Sequence, residues 1–336
     1  MKTKLLDYFE NPNYPLLGPN IWSLDKVWLF LPKTLINKIL CLSLHGSAML
    51  FVLSQYIELY VIKTDLDEVL NNLKISMLST ICVLKAGTFL MFNDRWRKII
   101  DYITEADKYE RDNRDKIKGQ IIDGYTKYCR RISFSYWFLV FCTFVTVTQT
   151  PTLKYGTSAA LRYNFRNGTQ AFQHIFSSYM PFDKNSFPGL PATILWHFCI
   201  CVYGAWVVAA FDANVVVMMV FFGGQLEIVR ERCMHMLDDY DYTDTTEVQA
   251  YASICKLHEM HVELIKHSKL FNSVLSPVMG IYMMMCSLMI CASLYQFTGD
   301  ISAAQKIIVA EYVVFGVAQL FVFCWHSNDV LVRVSS

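Results

Sequence analysis

The closest grouping of potentially reactive side chains in this chain is Cys255-Lys-Leu-His258-Glu-Met-His261. On a helix, a thiol and two imidazoles at i, i+3 and i+6 are donors of the kind that hold zinc. A metalloprotease of the zincin type needs His-Glu-x-x-His, with its histidines one turn apart, whereas this sequence has the shorter His-Glu-x-His. The spacing fits a solvated or inter-subunit helix face better than a metal site, and no metal or other cofactor is assigned. Gly-rich phosphate loops, paired carboxylates and Ser/His/Asp arrangements have no recognisable counterpart, so no enzymatic activity is expected. No basic run interleaved with aromatics offers a surface for nucleic acid.

The next candidates are charges inside apolar stretches, where an ionisable group carries a functional hypothesis by default. Glu58 and Lys74 lie near the facing ends of two consecutive apolar blocks, and a pair across the short turn between them is the structural reading. Lys85 and Asp212 fall toward the opposite ends of their blocks, where snorkelling to the membrane surface suffices. Glu311 either lines an entrance for a ligand or ion or sits at the interface.

Aromatic and Met-rich faces are the remaining signal. Phe138, Phe141, Phe144 and Thr148 share the outer part of one apolar block, and Trp196 and Tyr203 that of the next. Met289 belongs to a Met-dense block that ends at Tyr295, while Tyr312 and Phe315 open the last block. Converging aromatic ends with few polar groups would make a cavity for a small apolar molecule. The competing reading is ordinary helix and lipid packing. The candidate ligand-binding residues are Phe141, Phe144, Thr148, Trp196, Tyr203, Met289, Tyr312 and Phe315.

These residues must be positioned by membrane spans. The chain is 54% hydrophobic and 15% aromatic, with a net charge of +1 and a mean hydropathy of +0.30. Long apolar blocks alternate with charged ones, the pattern of a polytopic all-α membrane protein. Six spans are expected, at about 39–62, 69–92, 132–150 (closed by Pro151), 191–222, 270–297 and 306–325, in a single membrane domain. The fourth is longer than a bilayer needs and should tilt or project. The start of the chain lacks the apolar run and cleavage site of a signal peptide. The aromatic patch Trp22 to Pro32 is too short to span and reads as a segment lying on the membrane surface. Most of the 11 cysteines read as small buried hydrophobes, with no extracellular disulfide framework.

With the N-terminus inside, segments 1–38, 93–131, 223–269 and the tail hold 22 Lys and Arg, against six in the outer loops. That asymmetry predicts a cytoplasmic N-terminus, cytoplasmic loops at 93–131 and 223–269, and an external loop at 151–190. The sequon Asn167-Gly168-Thr169 then falls outside, where Asn167 can be glycosylated.

Phe321-Val-Phe-Cys324-Trp325-His-Ser-Asn328-Asp329-Val-Leu331 resembles the end of the sixth helix of insect odorant receptors. Asn11-Pro-Asn-Tyr-Pro-Leu-Leu-Gly-Pro-Asn-Ile-Trp22 resembles the N-terminal lead-in of moth members, and the topology matches over the whole chain. The resemblance implies a seven-helix subunit that binds a small volatile odorant in the outer halves of its helices. It also implies a non-selective cation channel gated together with a co-receptor, as a heterotetramer in the plasma membrane of sensory dendrites. Against that pattern, Val332 to Ser336 is too short for the C-terminal anchor and seventh helix, so a truncated product is expected, with loss of function and retention in the endoplasmic reticulum as the consequences of that form. The alternatives are a gustatory-type ligand-gated channel and a G-protein-coupled receptor. The second is disfavoured by the inside N-terminus and by the lack of an Asp/Glu-Arg-Tyr motif after the third span.

Overall fold

The computed structural model describes residues 10–64, 66–169, 171–235, 244–299 and 303–335. The first nine residues of the lead-in and the middle of the turn expected at 298–305 lie outside the described residues. In chain order the helices are α1 (Gly18–Lys26), α2 (Leu35–Val61), α3 (Leu66–Met91), α4 (Asn93–Asp112), α5 (Lys116–Thr157), α6 (Ala159–Arg166), α7 (Gly189–Met234), α8 (Asp244–Phe297) and α9 (Ala303–Ser335). Six of them, α2, α3, α5, α7, α8 and α9, are long and apolar enough to cross a membrane. The described residues contain no strand.

Helix α7 is apolar on every side, which requires that it be enclosed on every side. Its run from Phe211 to Met219 is buried without interruption, and it packs against α1, α3, α5, α8 and α9. The other spanning helices keep one face outward, as Phe138 on α5, Met284 on α8 and Phe321 on α9 do.

The helices run well past the apolar blocks. At about 1.5 Å per residue, the 54 residues of α8 extend roughly 80 Å, more than twice a hydrocarbon core of about 30 Å. Helix α4, from the charged connection after the second block, buries Trp96, Ile99, Ile100, Ile103, Asp107 and Glu110 along one stripe and turns its other side outward. Such an amphipathic helix is stable once its stripe is covered. Trp96 stacks on Phe89 at 4.4 Å and meets Phe211 and Phe271 edge-on, joining α3, α4, α7 and α8 at what we term the basic end of the bundle. Segment 158–188 marks the opposite, loop end.

Three expectations are corrected. Helix α5 does not close at Pro151 but continues to Thr157. Proline removes only one backbone donor and lies close to the helix end, so the remaining backbone bonds carry the helix past it. The lead-in patch is not simply laid on lipid: Leu24 and Leu29, with Leu16 and Leu17 before them, are fully buried in the main core, while Trp28 stays exposed. Helix α1 leans on α7, where the Trp206 Nε1–H donates to the Ser23 carbonyl at 3.0 Å. The cysteines divide more evenly than expected, with Cys41, Cys82, Cys129, Cys201 and Cys286 buried and Cys199, Cys233, Cys255, Cys291 and Cys324 exposed.

Candidate ligand cavity

In the loop-side half of the bundle, five helices surround a partly open cavity. Each helix contributes the face that its periodicity dictates. From α2 come Ala48, Phe51 and Val52, and from α3 Ile75, Leu78, Ser79, Cys82 and Val83. Helix α5 supplies Val140, Thr143, Phe144 and Val147, and α7 supplies Ile200, Cys201, Tyr203, Gly204, Ala205 and Val208. Tyr312 and Phe315 of α9 close the ring, and Phe176 of the 158–188 segment enters at the loop end. No charged side chain lines this wall. Its hydroxyls belong to Ser79, Thr143, Tyr203 and Tyr312, so an occupant is held by apolar contact with few directional bonds.

The cavity gathers four of the eight sequence candidates: Phe144, Tyr203, Tyr312 and Phe315. The other four do not line it. Phe141 is 59% exposed on the outer face of α5, and Trp196 is partly exposed at the start of α7. Thr148 turns its hydroxyl back to the carbonyls of Phe144 and Val145. Met289 is buried between helices, with its methyl end near Gly316. An aromatic residue suits a lipid-facing surface as well as a cavity, so composition could not separate Phe141 from Phe144. Unrecognised in the sequence were the small residues Ala48, Ser79, Gly204 and Ala205, which make the space, and Phe176, which lies in a connection.

The wall is braced from behind. The Tyr203 hydroxyl and His45 Nδ1 are 2.6 Å apart, and His45 Nε2 reaches the Trp28 carbonyl at 3.2 Å. The ring of Tyr312 lies under the ammonium of Lys74, 5.6 Å from its centroid. At the loop end, Tyr179 N–H donates to the Ser54 carbonyl at 3.1 Å and Asn72 Nδ2 donates to the Ser177 carbonyl at 3.1 Å. Ser178 Oγ meets His197 Nε2 at 2.9 Å. These contacts hold Phe176 edge-on against Phe51 at 5.2 Å. Beside them lies His174, where burial and, next, the Lys184 ammonium hold the imidazole below its ordinary value.

The charges within the apolar blocks have other partners than expected. Glu58 does not pair with Lys74: its Oε1 accepts from Lys184 Nζ at 2.7 Å, and Lys74 donates to Gln296 Oε1. Lys85 and Asp212 do not snorkel. Both are fully buried, with Lys85 Nζ 2.6 Å from Asp212 Oδ1 and 2.8 Å from Oδ2. Tyr136 OH donates to Asp212 Oδ2 at 2.5 Å, and Gln319 Nε2 donates to both the Tyr136 hydroxyl, at 2.6 Å, and Asp212 Oδ2, at 3.1 Å. Desolvation is the reason: an ion in hydrocarbon is tolerated only with its counter-charge and hydrogen bonds supplied. Glu311 does not line the cavity. On α8, Cys255 and His258 are exposed, and His261 is partly so.

Residues 65–336 match the family described as 7tm Odorant receptor. The chain belongs to that family. Odorant receptor 10 of Aedes albopictus is 31% identical over 77 residues, and Odorant receptor Or2 of Anopheles gambiae is 26% identical over 81. Those segments cover 23% and 24% of this chain and span only 20% and 21% of the relatives' own length. The insect olfactory receptor OR5 from Machilis hrabei has a similar fold, with a TM-score of 0.75 at 14% identity over 93% of this chain and 80% of that one. Its complex with eugenol gives 0.74 at 14% identity, over 94% and 80%.

In this odorant receptor chain the stretch from Phe321 to Leu331 is continuous helix within α9. Phe323 and His326 face inward, His326 Nε2 lying 3.0 Å from the Tyr128 hydroxyl, while Cys324 and Trp325 face outward.

Proposed function

We propose that the chain is the odorant-recognising subunit of a ligand-gated cation channel, and that the cavity between α2, α3, α5, α7 and α9 receives an uncharged, largely apolar volatile. The observation that carries this reading is a wall without charged side chains, built from five helices of an odorant receptor fold. The complex of the structurally similar OR5 with eugenol supports a small-molecule role for this fold. A co-receptor completes the channel, in the plasma membrane. The N-terminus and the basic end, which includes α4, lie in the cytoplasm, an orientation supported by the excess of Lys and Arg there. Asn167 is exposed at the end of α6 and carries an external glycan.

Three measurements test this. The purified chain should bind the apolar fluorophore N-phenyl-1-naphthylamine saturably, and Ala205→Trp, which fills the cavity, should abolish that binding. Persistence of the same affinity in Ala205→Trp would overturn the assignment of the cavity. Co-expression with a co-receptor should give odorant-evoked cation current that Ala205→Trp removes and G-protein inhibitors leave intact. Glycosidase should shift the mobility of the wild type and not of Asn167→Gln; a protected, unglycosylated loop would reverse the orientation.

A further inference from the structure

The Lys85–Asp212 pair and its partners Tyr136 and Gln319 lie about one helical turn beneath the cavity, on four of the five helices that line it. Lys85 follows the lining residue Cys82 by three positions, and Tyr136 precedes Val140 by four. Asp212 follows Val208 by four, and Gln319 follows Phe315 by four. Helices α3, α5, α7 and α9 are therefore tied together at one level, directly under the wall that a ligand would touch. Tyr136 joins the two levels. Its ring packs in one cluster with Cys82, Val140, Val208 and Phe315, all four of which line the cavity. Its hydroxyl stands between Asp212 and Gln319.

We propose that Tyr136 is the positioning residue of the cavity floor, and that the buried Lys85–Asp212–Gln319 network sets the ligand preference of the cavity by fixing that ring. This inference rests on the cavity being the ligand site. An apolar wall selects by shape, and dispersion contact is sensitive to distance: a gap of about 0.5–1 Å forfeits roughly a quarter to a half of it. Helices in lipid lack a strong hydrophobic force holding them in register. Directional bonds of 2.5–3.1 Å around a fully buried carboxylate supply that restraint. The network does not line the cavity, so it acts on a ligand only through the floor.

The test uses the full chain, purified in lipid nanodiscs, with N-phenyl-1-naphthylamine and the flatter 1-aminoanthracene as probes. Tyr136→Phe removes one oxygen that lies outside the cavity. It should weaken at least one probe by about fivefold, the scale of one lost hydrogen bond, and change the ratio of the two affinities by about threefold or more. Gln319→Met, which leaves the ion pair in place, should do the same. The double variant should be no worse than the weaker single, because both act through one group. Tyr282→Phe is the control. Its ring lies 4.4 Å from the same Lys85 ammonium, but it is not part of the floor cluster, so both affinities should stay within about twofold of wild type. If the wild type binds and Ala205→Trp blocks binding, but Tyr136→Phe and Gln319→Met leave the probe ratio unchanged, the positioning role is overturned. A proportional loss for both probes would also overturn it, since general loosening of the bundle has that signature. If the wild type binds neither probe, the cavity assignment itself has failed.

Discussion

Two glycines of α7 should respond to the same substitution with opposite signs. In a helix interior, Gly→Ala is favourable by about 1 kcal/mol from backbone entropy alone. At Gly204 nothing opposes that gain, because an added Cβ would meet only Cys82 Sγ, at 3.6 Å, an ordinary van der Waals contact. At Gly224 the added Cβ would fall 2.7 Å from Tyr125 Cδ1 and 3.2 Å from Cε1. That ring cannot simply swing away. It is buried, and its hydroxyl donates to Asp107 Oδ1 at 2.8 Å, while Asp107 also accepts from Arg111 Nε at 2.8 Å. Forcing it aside costs about 1–3 kcal/mol of overpacking. If the bond to the carboxylate is lost as well, a further 1.5–3 kcal/mol or so is added. Less the propensity gain, Gly224→Ala should be destabilised by roughly 0–2 kcal/mol with that bond kept and by roughly 1.5–5 kcal/mol with it lost, while Gly204→Ala gains about 1 kcal/mol.

The assay is thermal unfolding of the purified chain followed by tryptophan fluorescence at a fixed scan rate, since membrane proteins often unfold irreversibly. Gly204→Ala should raise the apparent Tm by about 1–2 °C and Gly224→Ala should lower it by several degrees. Adding Tyr125→Leu, which removes the ring, should make Gly224→Ala neutral or favourable. A Gly224→Ala variant as stable as Gly204→Ala would refute the close approach of α7 to α5. Gly204→Ala also places a methyl on the cavity wall, so it should weaken bulky probes while stabilising the fold.

Lys85→Met alone should cost about 3–5 kcal/mol by stranding the Asp212 carboxylate, whereas Lys85→Met with Asp212→Leu should be nearly neutral; equal losses in the single and double variants, read as folded yield and Tm, would contradict the buried pair. Phe176→Ala should speed dissociation of N-phenyl-1-naphthylamine, measured by stopped flow, by about tenfold, because the ring closes the loop end of the cavity against Phe51; an unchanged rate would mean that the probe leaves elsewhere. At His174 the folded pKa is depressed, so the fold accommodates the neutral ring. Its stabilising contribution is complete above the ordinary imidazole value of about 6.5 and is lost as pH falls from there through the folded pKa. His174→Gln should accordingly flatten the fall in Tm between pH 7 and 5, and a slope identical to wild type would exclude the residue as a source of acid sensitivity.

The six apolar blocks are visible in the sequence because a helix in lipid must be apolar over about 20 residues. Their ends are not visible, because a helix that leaves the membrane keeps its backbone hydrogen bonds and needs only one apolar stripe, as on α4. Four aromatic residues of the cavity were legible, Phe144, Tyr203, Tyr312 and Phe315, whereas Phe51 and Phe176, equally bulky, were not. Space itself leaves no such mark: Gly204 and Ala205 have the composition of any close helix contact. The stripe Val140, Thr143, Phe144 and Val147 is a usable signal, since its i, i+3, i+4, i+7 spacing places it on a different face from Phe138 and Phe141. The pairing of Lys85 with Asp212, 127 residues apart, depends on which helices are neighbours. No local pattern contains that information.

The two levels of the bundle divide the work along physical lines. Recognition of an apolar volatile calls for a wall that forms few hydrogen bonds, and such a wall contributes little to holding its own helices in register. Polar bonds could fix the register from within the wall, but they would then compete for the ligand and narrow what it accepts. One turn below, bonds of the same kind can form among Lys85, Tyr136, Asp212 and Gln319 without facing the ligand. There the low dielectric strengthens them and water does not compete. Tyr136 suits the boundary because it is amphipathic, with a ring that packs as hydrocarbon and a hydroxyl that belongs to the network. Phenylalanine would keep the packing and lose the anchor. A smaller polar residue would keep the anchor and leave a void under Val140 and Phe315.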